Sequence, residues 1–259
     1  MLTASHQLVR IDPQRPQQVL ERVLLLGLAA GEEIVGMDYR VARGQLYALS
    51  NQGRLYTLDP TQGRLQPVGA STWPVGLNGH AVGFDFNPAA DRIRIVTERG
   101  QNLRAHPDTG ALVDADPTAE GFQPDGTLRY ANGDPNAGRA PRLEAAAYTY
   151  NKQDEKLTTN YAIDAGLGLL VRQGSLEGAQ PVVSPNAGLL FTVGSLGLAT
   201  PLRHVSFDIA DLDNTALAAV TLPRERVSRL VRIDLQSGRA QVVGIIGSGE
   251  PVRALAIEP

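Results

Sequence analysis

Apolar residues alternate with polar ones in short runs along the whole chain, and the runs recur. Five units read as a strand, a turn of Pro, Asp, Gly, Ser or Gln, and a second strand. They are LVRIDPQRPQQV (8–19), LYTLDPTQGRL (55–65), LRAHPDTGAL (103–112), LLVRQGSLEGAQ (169–180) and LVRIDLQSGRA (230–240). Alternation of period two, broken by turn residues, predicts β-hairpins. A second strand recurs as IVGMDYR (34–40), AVGFDFN (81–87), EAAAYTYN (144–151), HVSFDIA (204–210) and PVRALAIEP (251–259). A further strand separates it from the hairpin: LYALS (46–50), RIRIV (92–96), TNYAID (159–164) or ALAAVTL (216–222).

Val35, Val82, Ala145, Val205 and Val252 hold equivalent positions in the second strand, at spacings of 47, 63, 60 and 47 residues. Such a period suits one four-stranded propeller blade per unit, with the recurring strand innermost. The fold class is therefore all-β. The last inner strand lacks a hairpin after it, and the first hairpin lacks an inner strand before it. Pairing of the two ends completes one blade and gives a five-bladed β-propeller forming a single domain. The expected blades are 251–259 plus 1–33, then 34–80, 81–142, 143–203 and 204–250. An open β-solenoid, or a sixth blade hidden in 113–142, is the alternative. The stretch 114–142 is dense in Asp, Asn, Gly and Pro and reads as a long loop with room for one extra strand; 184–203 is a shorter counterpart.

Composition narrows the function classes. The 27 Gly and 17 Pro fall singly at turns, as short strands require, and do not form a disordered tract. A net charge of −3, with basic residues dispersed, argues against nucleic acid as a partner. The longest apolar stretch, VLLLGLAA (23–30), is too short to span a bilayer. The chain has no Cys, which excludes disulfides and thiolate sites. No leader pattern precedes the first hairpin. The expectation is a monomer, cytosolic if the chain is complete and secreted or surface-exposed if a leader was removed.

The segments VGFDFNP (82–88), RIRIVTERGQNLRAHPDTGAL (92–112), YANGDPNAG (130–138) and SFDIA (206–210) resemble a bacterial family known only as domain of unknown function 4394. The resemblance extends over nearly the whole chain. It implies a repeat-built β domain, frequent in secreted or surface proteins, without assigned activity or catalytic residues.

Candidate chemistry centres on the channel mouth, where polar groups from several blades converge. The starts of the inner strands bring Glu33, His80, Glu144, Arg203, His204 and Glu250 toward one opening, as cation or proton-transfer groups or as solvated rim charges. Asp38, Asp85 and Asp208 recur late in three inner strands, with Tyr148 and Leu255 at that position in the others. They suit either a carboxylate pair or a structural role accepting backbone N–H bonds. DADPT (114–118) and DIADLDN (208–214) carry fragments of a calcium loop, with Asp114, Asp116, Asp211, Asp213 and Asn214 as candidate ligands. Both lack the closing bidentate Glu. In GDPNAG (133–138), Asp134 and Asn136, with Asn132 just before, form a ligand-like loop that Asn102 and Arg104 could back; a rigid Asx–Pro turn explains it too. Nucleophile-elbow, phosphate-loop and metalloprotease motifs are absent, and His6, His80, His106 and His204 show no paired metal spacing. One Trp and 5% aromatic residues weigh against sugar stacking.

The first expectation is a non-catalytic domain that binds an unidentified small molecule or protein without a cofactor. Its candidate residues are Trp73, His80, Asn102, Arg129, Asn132, Asp134, Asn136, Arg203 and His204. The second is a propeller hydrolase, a lactonase or glycosidase, using a divalent cation such as calcium or a carboxylate pair from Glu33, Asp85, Glu144 and Asp208. Carboxylates gathered within several ångströms in one cavity would favour the hydrolase, and carboxylates engaged by backbone amides the scaffold.

Overall fold

A computed structural model describes residues 1–69 and 73–259. Among the described residues, twenty strands form five sheets around one axis. In chain order, β1 (Leu2–Thr3), β2 (Gln7–Ile11) and β3 (Val19–Leu24) belong to the first blade. The second comprises β4 (Ile34–Arg40), β5 (Gln45–Ser50), β6 (Leu55–Asp59) and β7 (Arg64–Pro67). The third has β8 (Val82–Asn87), β9 (Arg92–Thr97) and β10 (Asn102–Ala105). β11 (Arg129–Tyr130) lies in the long excursion. The fourth blade holds β12 (Leu143–Tyr148), β13 (Asn160–Asp164), β14 (Leu169–Gln173) and β15 (Leu189–Ser195). The fifth holds β16 (His204–Ile209), β17 (Ala216–Thr221), β18 (Ser228–Ile233) and β19 (Ala240–Ile245). Finally β20 (Val252–Ala254) pairs antiparallel with β1, Leu2 opposite Ala254 and Thr3 opposite Val252, so the first sheet runs β20-β1-β2-β3.

Three of the five hairpin turns share one mechanism. Oδ1 of Asp12, Asp59 and Asp234 accepts the backbone N–H two residues on, from Gln14 at 2.8 Å, Thr61 at 2.8 Å and Gln236 at 2.9 Å. Gly63 and Gly238 then close two of these turns at φ +66° and +78°, and Gly110 does so at φ +70° in the copy where His106 replaces Asp. Two hairpins differ from the sequence expectation. After β10 the predicted return strand shrinks to a single bridge, Ala105 to Leu112. After β14 the hairpin expected within 169–180 does not form; the outer strand is β15, reached through a connection held by hydrogen bonds such as Gly174 N–H to Leu189 O at 2.8 Å. The excursion contributes no sixth blade. Its β11 instead joins β15 in parallel, Arg129 opposite Leu189.

Five clusters of buried side chains lie between neighbouring blades and not within them. Tyr47 and Leu49 of the second blade, for example, pack on Phe84 and Ile95 of the third. No unit buries its apolar faces alone, as stacked repeats require. Inner and second strands are accordingly buried almost throughout, whereas β3 and β19 are largely exposed. No helix among the described residues is long and apolar enough to cross a membrane.

Inner strands approach one another too closely for ordinary side chains at one level of the axis. A Cβ at Gly36 would lie 2.4 Å from Phe84 Cβ, and one at Gly83 would lie 2.6 Å from Ala146 N. The middle of the channel therefore retains only about 10 Å3. Gly36→Ala should destabilise the fold by about 1–3 kcal/mol through overpacking. Gly76→Ala, where an added Cβ meets nothing within 4 Å, should change stability by less than about 0.5 kcal/mol. Urea denaturation of both variants checks the contrast.

Candidate functional site

The filled channel separates two mouths. At the N-terminal ends of the inner strands, the candidate residues are dispersed around the rim. Glu33 is ion-paired with Arg253. The His80 and Ala81 amides donate to the Glu98 carboxylate, while the His80 side chain is exposed. His204 Nε2 lies 3.0 Å from Arg253 O, and burial lowers the pKa of its ring below the usual value. Arg203 Nη1 donates to Glu225 O at 3.0 Å. Glu144 is buried, and its carboxylate faces Arg142 Nε at 2.9 Å without the alignment of a hydrogen bond.

The other named candidates sit farther out. Trp73 Nε1 donates to Gly110 O at 2.8 Å and packs on the core between the second and third blades. Asn102 is enclosed: its Oδ1 accepts from Arg94 and Gln173, and its Nδ2 donates to Gly126 O and Pro185 O. Asp134 accepts the Thr192 amide at 2.6 Å and the Asn136 amide at 2.8 Å, and Asn136 Nδ2 donates to Thr192 Oγ1 at 3.0 Å. GDPNAG thus clamps the excursion to β15. Asn132 on that turn and Arg129 on β11 are exposed. The structure brings Asn132, Asp134 and Asn136 together and leaves the other six apart.

The convergent chemistry lies at the opposite mouth. Asp38 on β4, Asp85 on β8 and Asp208 on β16 are all buried, and carboxylate oxygens of the three lie within 4.8 Å of one another. Each reaches across to the next inner strand. Asp38 Oδ2 accepts from Phe86 N at 2.8 Å, Asp85 Oδ1 from Tyr148 N at 2.9 Å, and Asp208 Oδ2 from Ile257 N at 2.5 Å. The remaining oxygens of Asp38 and Asp208 accept from Tyr39 N and Ile209 N. Among the described residues, Asp85 Oδ2 accepts no hydrogen bond, although Asp85 is only 4% exposed.

Burial raises the pKa of all three carboxyls, and mutual repulsion adds to this for Asp38 and Asp85; Asp208 is pushed up to about 7. A cavity of about 370 Å3 opens above them, with Arg40, Tyr148 and Asp211 in its walls. Arg40 is itself occupied by Asp91 and by Asp108, the latter at 2.6 Å. A larger crevice of about 560 Å3 beside β2 and β3 is mostly apolar and, among the described residues, has no comparable cluster.

Asp211 is the one calcium-loop candidate that lines the carboxylate cavity. Asp114 and Asp213 accept amides of Asp116 and Thr215, and Asp116 that of Thr118, as turn residues do. Asn214 exchanges two hydrogen bonds with the Tyr150 backbone. The conditions that would separate hydrolase from scaffold are met together, since the carboxylates are both gathered and amide-bound.

Sequence reasoning passed over Asp125 and Arg94. Asp125, in the excursion, bridges Arg94 Nη1 at 2.6 Å and Arg104 Nη2 at 2.8 Å with its side chain fully buried. The alternating arginines of RIRIV, within an otherwise apolar strand, were the available signal.

Residues 7–256 match the family model described as a domain of unknown function, DUF4394. No curated protein matches the chain. Among solved structures, the fold is similar to Myxococcus xanthus glutaminyl cyclase, at 12% identity and TM-score 0.47, covering 88% of this chain and 78% of that one. It is also similar to a structural-genomics protein of unknown function from Bacteroides thetaiotaomicron, at 12% identity and TM-score 0.44, covering 83% and 44%. A chain of a nidogen/laminin complex matches at 10% identity and TM-score 0.44, covering 80% and 63%. The chain thus spans less than half the length of the Bacteroides protein and under two thirds of the laminin-complex chain.

Two outcomes are expected. Burial raises the Glu144 pKa to about 7. A carboxyl raised on folding stabilises fully below its unfolded value, and that stability is lost as pH rises through about 7. Melting temperatures between pH 5 and pH 8 should fall less steeply for Glu144→Gln than for the wild type. Asp125→Ala should cost about 3–5 kcal/mol in urea denaturation, because two guanidiniums lose their buried partner.

Proposed function

We propose, for a chain that belongs to the DUF4394 family of domains of unknown function, a non-catalytic binding role centred on a hard divalent cation. The cation sits on Asp38, Asp85 and Asp208, and a small polar ligand completes its coordination from the cavity above. The carrying observation is the gathering of three buried carboxylates within 4.8 Å of one another. Like charges at that separation, out of water, must be relieved by protons or by a cation. No Lys or Arg is hydrogen-bonded to the trio among the described residues. Oxygen-only donors suit calcium, magnesium or manganese and not softer metals.

Two features support holding over turnover. Backbone amides engage both oxygens of Asp38 and of Asp208, which fixes their orientation as outer-shell partners fix a ligand. Asp85 Oδ2, which accepts no hydrogen bond among the described residues, adds a further oxygen. Three carboxylates alone leave coordination positions for water or ligand, because such cations take six or more oxygens.

Calorimetric titration of chelator-stripped protein with calcium, magnesium and manganese tests the reading. One saturable site and a rise in melting temperature are expected for at least one of them. Asp85→Asn should fold, since its amide oxygen can still accept the Tyr148 N–H, yet lose more than the roughly 10–100-fold typical of outer-shell changes. Absence of cation binding, or equal binding by Asp85→Asn, would overturn the proposal.

A further inference from the structure

A second cavity adjoins the first and carries the opposite charge. Arg94 on β9 stands directly opposite Arg104 on β10, and Arg92 lies two residues along β9 on the same face. Directly opposed like charges repel. Asp125 offsets part of this: its Oδ2 accepts from Arg94 Nη1 at 2.6 Å and Arg104 Nε at 2.8 Å, and its Oδ1 from Arg104 Nη2 at 2.8 Å. One carboxylate therefore engages two of the three guanidiniums, and Arg92 is left without it. The next nearest along the chain, Asp91, is engaged by Arg40.

The cavity against this group measures about 230 Å3, and its polar wall is rich in donors. Asn87 and Asn186 spend their carbonyl oxygens on Ala89 N and Arg94 Nη2, leaving their NH2 groups to donate. The Tyr148 hydroxyl oxygen accepts from Arg94 Nε at 3.2 Å, so its proton remains to be donated. Arg104 Nη1 has no hydrogen-bond partner among the described residues. Among the described residues, Arg92 donates only to the carbonyls of Ala90 and Asp91.

We infer that this cavity is an oxyanion site, taking the phosphate, sulfate or carboxylate group of a small ligand. Planar guanidiniums and amide donors around one space match the several acceptor oxygens of such a group. The excess positive charge left after Asp125 makes an anion, and not a neutral polar group, the matching occupant. Asn87 and Tyr148 line both cavities, so the body of the ligand extends toward the carboxylate trio. The inference rests on the arginines and the donors beside them and does not require a cation at Asp38, Asp85 and Asp208.

The test is titration with phosphate, sulfate and acetate as separate arms, with chelator present and sodium chloride at matched ionic strength as the control. Saturable binding of at least one oxyanion, with a melting-temperature rise that chloride does not reproduce, is expected. Arg92→Gln should melt as the wild type does without anion, yet bind the anion roughly tenfold more weakly, the loss expected for one charge-assisted contact. Tyr148→Phe should weaken it as well, which keeps the test decisive if Arg92→Gln folds poorly. Equal shifts with chloride, or unaltered affinity in both variants, would sink the inference. Asp85→Asn should retain anion binding, so failure of the cation reading is told apart from failure of this one.

Discussion

The inner strands of this propeller are edge strands facing an axis, and their inward amides have no neighbouring strand to pair with. An aspartate on one strand supplies the acceptor for the next: Asp38 for Phe86, Asp85 for Tyr148, Asp208 for Ile257. Buried amides must be paired somewhere, and here a side chain bridging two blades does it. The close approach at Gly36 and Gly83 brings the strands near enough for these bridges to reach. The same bridges carry three carboxylates to the axis. The concentration of negative charge is thus a by-product of closing the ring, and it lies at the end of the channel where a cavity remains open.

The second feature grows from the least regular part of the chain. The excursion after the third blade provides no blade of its own but anchors at three points. Tyr130 donates from its hydroxyl to Asp164 at 2.7 Å, Asp134 accepts the Thr192 amide at 2.6 Å, and Asp125 joins the opposed arginines Arg94 and Arg104. With β11 paired to β15, the segment ties the third blade to the fourth where the third lacks a full outer strand. A carboxylate that repairs repulsion between two opposed arginines, one buried and one half-buried, leaves a net positive wall beside the acidic one. Tyr148, at the position where three other inner strands carry Asp, lines both cavities.

Much of the architecture was legible because it repeats. Period-two alternation, Asp and Gly at matching turn positions, and complementary half-blades at the two ends are local signals. The misjudged hairpins failed for a local reason too. The residues after Gln173 carry turn chemistry without a following apolar run until Leu189, and those after Thr109 allow one bridge only. The site was legible in part. The recurrence of Asp38, Asp85 and Asp208 was visible, and so was their structural use, but Asp125 gives no periodic signal.

The sequence by itself therefore determined the strand order, the five-fold repetition and the turn that closes most hairpins, since each depends on neighbours a few residues apart. Only the tertiary structure decided which mouth of the channel is chemically dense. Separation across a ring depends on blade packing and closure, which place Asp38 beside Asp208 from 170 residues away. The same packing spreads His80, Arg203 and Glu144 around the opposite rim. Charge pairing was likewise a tertiary matter, because the acceptor for Arg94 comes from a loop whose course no alternation of apolar and polar residues records.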